Sequence, residues 1–144
     1  MTDISRRLEQ FVTAAQKKSK EQILPIKTDK GILVGDVLIV SEDHIKHLYR
    51  NGKLIYEDVY LNAVTIALAN LIVKRGDPIK IKHLYELDQE YGKWFTDSQL
   101  LRSRYQKALD SQDYDRADIL FARYCESRDR ALLAKNNAQS LAAL

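Results

Sequence analysis

Cysteine is almost missing from this chain, with one residue, Cys125, among 144. A lone thiol excludes an internal disulfide framework and fits a reducing compartment. Glycine is scarce at five residues and proline scarcer at two, which leaves little of the loop material from which active sites are usually assembled. No glycine-rich phosphate loop, GxSxG elbow or CxxC pair occurs, so the common signatures of nucleotide binding, serine hydrolysis and dithiol chemistry are absent. Long hydrophobic runs are missing too. The longest, Val59 to Val73, is interrupted by Asn62, Thr65 and Asn70 and is too short to span a bilayer. The opening MTDISRRLEQF lacks the continuous apolar stretch of a leader peptide. No membrane association is expected, and the expected location is intracellular. Charge of one sign is also lacking: 23 basic against 20 acidic residues leave +3, a mixed solvated surface rather than a nucleic-acid-binding face.

What is present is periodicity. Leu84, Leu87, Tyr91, Trp94, Ser98, Leu101, Tyr105 and Ala108 recur at alternating three- and four-residue steps. Ala117, Leu120, Tyr124, Ser127, Ala131, Ala134, Ala138 and Leu141 repeat the pattern after the polar break Asp110-Ser111-Gln112-Asp113. That is heptad spacing on two helices folded back on each other. The alanine-rich second stripe lets the helices approach closely, and Tyr91, Trp94 and Tyr105 supply large side chains to match.

The rest reads as one α+β domain over residues 1–144. Residues 1–22 predict an N-terminal helix, with Ile4, Leu8, Phe11 and Ala15 on one face. Residues 24–58 predict a three-stranded antiparallel meander. Its first strand is GILVGDVLIV, with Gly35 as a bulge or a close backbone approach, and its second is His44 to Arg50. Asn51-Gly52 demands a type I′ turn, which sets Arg50 opposite Lys53, Leu48 opposite Ile55 and Lys46 opposite Glu57. Residues 61–75 predict a buried core helix capped by Gly76 at C′, and residues 79–141 the antiparallel helical hairpin. Gly92 inside the hairpin marks a kink or a close approach by another backbone.

The core helix leaves almost no polar face, and a helix apolar all round must be covered on several sides. A partner subunit follows as the expectation. Ile66, Leu68, Leu71 and Ile72 are its candidate interface, with Tyr91, Trp94, Tyr105 and Tyr124 on the hairpin. No catalytic, cofactor or metal residues emerge, and no enzyme is expected. His44 and His47 are three apart, a spacing that sends strand side chains to opposite faces. Asp110, Asp113, Asp115 and Asp118 lack the glycine and terminal glutamate of a calcium loop and are accounted for by helix capping. A second expectation is a phosphate-binding patch of Lys74, Arg75, Lys80 and Lys82, for a nucleic-acid- or polymerase-associated regulator. Binding to other protein subunits, as a homo- or hetero-oligomer, is the favoured reading over nucleic acid.

Four stretches carry a resemblance: GILVGDVLIV, YRNGKLIYEDVYLNAVTIALA, LYELDQEYGKW and DYDRADILFARY with its alanine-rich continuation. Across about residues 31–138 they resemble a group of small proteins of T4-like marine bacteriophages. The resemblance implies a viral origin, a location in host cytoplasm and virion, and a structural role in the head, the tail or their assembly. It rests on pattern and implies no site residues.

Overall fold

Four two-residue turns fold the first described segment into a sheet. The computed structural model describes residues 23–144, and the helix expected over 1–22 lies outside them. The strands are β1 (Ile26–Thr28), β2 (Gly31–Val34), β3 (Val37–Glu42), β4 (Ile45–Arg50) and β5 (Lys53–Val59). They form one five-stranded antiparallel sheet in the order β1-β2-β3-β4-β5. This overturns the three-stranded meander. GILVGDVLIV is two strands, because Gly35-Asp36 is a hairpin loop between paired Val34 and Val37. Gly35 takes φ 59°, as the first residue of a two-residue hairpin turn requires when it is glycine. A continuous Ile/Leu/Val run has no period to show where it turns back, and Ile26–Thr28 adds an edge strand too short to show alternation.

The Asn51-Gly52 turn forms as expected, with φ 52° and 75° and Arg50 opposite Lys53. The register then departs from expectation. Leu48 pairs with Tyr56 and Lys46 with Val59, through two shifts. Strict alternation would place Glu57 on the core face. The bulges instead leave Glu57 exposed and bury Val59 completely, which avoids desolvating a carboxylate.

Three helices follow: α1 (Asn62–Val73), α2 (Pro78–Asp110) and α3 (Tyr114–Ala143). Val34, Val37, Ile39, Leu48 and Val59 on the inner face of the sheet pack with Val64, Leu68 and Ala69 of α1. Ile81 and Leu84 of α2 and Ala138 of α3 complete this core. A second, smaller core lies farther along the hairpin, where Leu101 and Ala108 meet Ala117 and Leu120. At 1.5 Å per residue α2 is about 50 Å long, so the hairpin rests on the sheet domain at its base and projects beyond it. Both heptad stripes face inward as spaced, with Ser98, Leu101, Ala108, Ala117, Leu120, Ser127, Ala131, Ala134 and Ala138 all buried. Ser127 Oγ donates to Asp97 Oδ2 across the seam at 2.5 Å, and the Arg130 guanidinium lies 4.6 Å from the Trp94 ring centroid.

Helix ends α1 and α2 share one geometry. Gly76 N–H bonds to Leu71 O (2.7 Å) and Arg75 N–H to Ile72 O (3.3 Å). Asp113 N–H bonds to Ala108 O (2.9 Å) and Gln112 N–H to Leu109 O (3.0 Å). Both are Schellman closures, so the C′ residue of α1 is Arg75, with φ 52°, and Gly76 comes one position later than expected. At the hairpin tip Asp113 both ends this closure and caps α3, accepting from Arg116 N–H. Gln112 holds φ 59° there. Gln112→Gly should therefore raise stability by about 0.5–1 kcal/mol, the left-handed strain relieved less the added chain entropy of glycine, read as an increase in urea midpoint.

Candidate functional site

The flank of α1 turned away from the sheet is alanine-rich and only partly covered. Ala63, Ile66, Ala67 and Leu71 recur at helical spacing along it, and Ala142 and Ala143 at the end of α3 stand opposite. Between them opens a groove of about 380 Å³ with a mostly apolar lining. Leu144 also lines it, while Asn70, Gln139, Lys74 and Lys80 supply its polar groups. Asn70 is anchored twice: its Nδ2 donates to Ile66 O at 3.0 Å, and its Oδ1 accepts from Ile23 N–H at 2.8 Å.

The candidate interface residues divide among three places. Ile66 and Leu71 line the groove. Ile72 is partly buried against the main core, and Leu68 has no exposed surface at all, so Leu68 serves the chain's own core and offers nothing to a partner. Tyr91 stacks on Phe95, with centroids 5.5 Å apart. Trp94 packs beneath Arg130, and Tyr105 and Tyr124 cover the outer core of the hairpin. These four aromatics are half-buried along α2 and α3 rather than gathered at the groove. The four candidate phosphate ligands are not one patch either. Lys74 and Lys80 border the groove, whereas Lys82 approaches Glu86 at 4.0 Å and Arg75 is exposed at the left-handed position after α1.

A second apolar surface escaped sequence reading. Cross-strand pairing aligns Ile26, Leu33, Leu38, Tyr49 and Leu54 in one row over all five strands. Pairing parity puts this row on the face opposite the core residues Ile39 and Leu48. Its two ends are open, with Ile26 62% and Leu54 46% exposed. The missed signal was alternation: once Gly35 is a turn, Leu33, Leu38 and Val40 fall on the face opposite Val34, Val37 and Ile39.

One carboxyl has unusual chemistry. Asp88 is completely buried, and its oxygens accept from Tyr60 N–H (2.8 Å) and Leu61 N–H (2.9 Å) just before α1. Burial pushes it up to about 6, against the opposing pull of those two amides and of Lys46. Burial likewise raises Tyr56, Tyr60, Tyr85 and Tyr91. With no exposed surface and both oxygens engaged, Asp88 anchors the chain just before α1 instead of meeting a substrate. Tyr85 Oη and Gln89 Nε2 donate to Glu57 O and Asp58 O nearby, so one face of α2 grips the whole β5–α1 junction.

His47 Nδ1 accepts from Asp58 N–H at 3.3 Å, and among the described residues no three His, Cys, Asp or Glu side chains gather as a metal site would need. No helix among the described residues is long and apolar enough to cross a membrane. No protein-family model, curated protein or solved structure matches the chain.

Proposed function

We propose that this protein is a non-catalytic assembly subunit that joins other protein subunits through the groove beside α1, as a structural component of a phage particle. The observation that carries this reading is the Ala63–Ile66–Ala67–Leu71 flank, apolar surface of the central helix that the described fold leaves open. Burying it is favourable at about 25 cal/mol per Å² removed from water. The apolar row on the outer face of the sheet gives the subunit a second contact surface, which a particle with several neighbours per copy would use. The viral setting is supported by the sequence resemblance alone.

Light scattering on the full chain tests the reading. The expected mass is a multiple of the 16.6 kDa protomer, falling toward one protomer in Ile66→Glu, because a carboxylate in the groove would be desolvated on contact. A chain that stays monomeric at every concentration and retains no partner on an affinity column overturns it.

A further inference from the structure

The described chain begins at the wall of the groove beside α1. Ile23 N–H donates to Asn70 Oδ1 at 2.8 Å, and Asn70 lines the groove. Asn70 is a buried polar residue in an otherwise apolar helix, and its Nδ2 is held by Ile66 O. Its carboxamide therefore fixes where residues 1–22 leave the fold. The groove has the dimensions of one helix face. Its helical wall runs from Ala63 to Lys74, eleven steps or about 17 Å at 1.5 Å per residue. A cavity of about 150 Å³ accommodates benzene. The groove, at about 380 Å³, thus holds roughly two or three side chains of that size, which is what the ridge of a single helix presents.

The sequence carries such a segment directly upstream. Ile4, Leu8, Phe11 and Ala15 recur at four- and three-residue steps, one apolar face at helical spacing. Ile4 to Ala15 is also eleven steps, the length of the groove wall. Residues 16–22 connect it to Ile23, and seven extended residues reach about 23 Å, enough to return along α1 in either direction. A segment tethered so closely meets its own groove at an effective concentration in the millimolar range, which a separate molecule has to exceed. We propose that residues 4–15 of the same chain occupy the groove beside α1, with their apolar face against Ala63, Ile66, Ala67 and Leu71. They cover that flank in a lone subunit, and a neighbouring subunit docks by displacing them. The displacement rests on the assembly reading; the placement does not.

Disulfide trapping in the full chain tests the placement. Leu8→Cys and Ala67→Cys are combined in a Cys125→Ser background. Leu8 and Ala67 lie near the midpoints of segment and groove wall, so they meet whichever way the segment runs. Copper-catalysed oxidation should give an internal disulfide at a rate independent of protein concentration. It should form at least about tenfold faster than with Leu8→Cys and Leu54→Cys, the latter on the outer face of the sheet. Circular dichroism identifies any variant that has lost its fold, and Phe11→Cys with Ala67→Cys then carries the comparison. No cross-link, or equal cross-linking to position 54, overturns the proposal. A covalent dimer does so too, since the groove then takes the segment of a second copy. In light scattering, Leu8→Glu/Phe11→Glu should assemble at a concentration lower by about tenfold or more, as the groove is freed of its competitor. An unchanged midpoint overturns the displacement. An internal disulfide in a chain that stays monomeric throughout keeps the placement and ends the assembly reading. A chain that assembles through Ile66 without forming that disulfide does the reverse.

Discussion

Asp88→Ala should cost about 5 kcal/mol at pH 4 and only about 2 kcal/mol above pH 7, a gap that narrows as the solution becomes more alkaline. The larger figure follows from orphaning two buried amides, Tyr60 N–H and Leu61 N–H, at about 1–3 kcal/mol each, together with the small void left behind. The narrowing follows from where the carboxyl titrates. In the folded chain it does so at about 6, above an ordinary value of 3.8, so folding favours its protonated form. That contribution is fully present below about pH 4 and is lost as pH rises through 6. Its total is about 3 kcal/mol, at 1.36 kcal/mol per pH unit. Other carboxylates titrate in both proteins and cancel in the difference. Urea unfolding of both proteins at pH 4 and pH 8 measures it, and an equal gap at the two values would show that burial does not govern this carboxyl.

One helical turn farther along α2, Gly92→Ala should destabilise by about 2 kcal/mol although alanine is the better helix former. A Cβ at Gly92 would stand 2.1 Å from Cε2 of Tyr60 and 2.5 Å from Cδ2 and Cζ of that ring. Overpacking of this kind costs about 1–3 kcal/mol or more, against a helix-propensity gain of about 1 kcal/mol. Tyr60 cannot easily move aside, since its amide is held by Asp88 and its ring meets Tyr91 edge-on at 6.5 Å. The diagnostic comparison is the Tyr60→Ala background. There Gly92→Ala should become stabilising by up to about 1 kcal/mol, because only the propensity term survives. A penalty unchanged by removing the ring would rule out the steric account. Together these variants probe one joint, in which residues 85, 88, 89 and 92 of α2 hold residues 57–61 between the sheet and α1.

That joint shows where sequence reading stopped. Gly92 stood out as a place of close approach, but what approaches is an aromatic ring from the β5–α1 junction, and no local pattern names a partner 32 positions away. Asp88 was invisible for a related reason. It lies four residues after Leu84, and nothing in its neighbours in sequence tells that two distant amides would claim its oxygens. The groove was half legible. An all-apolar central helix implied uncovered surface, and Ile66 and Leu71 do line it, whereas Leu68 is spent on the core because the sheet takes that side of the helix. The sheet was the least legible element: Gly35 is locally compatible with a bulge or a turn, and the difference decides both strand count and which residues face outward.

By itself the chain's order of residues determined the helical hairpin, its break at Asp110–Asp113 and the Asn51-Gly52 turn. These depend on spacing and on backbone preferences that act within a few residues. Tertiary structure alone decided the fifth strand, the bulged register of β5, the buried anchor at Asp88 and the flank of α1 left open. Each depends on which of several locally acceptable arrangements hides apolar surface without stranding a charge, and that balance is struck between segments far apart in the chain.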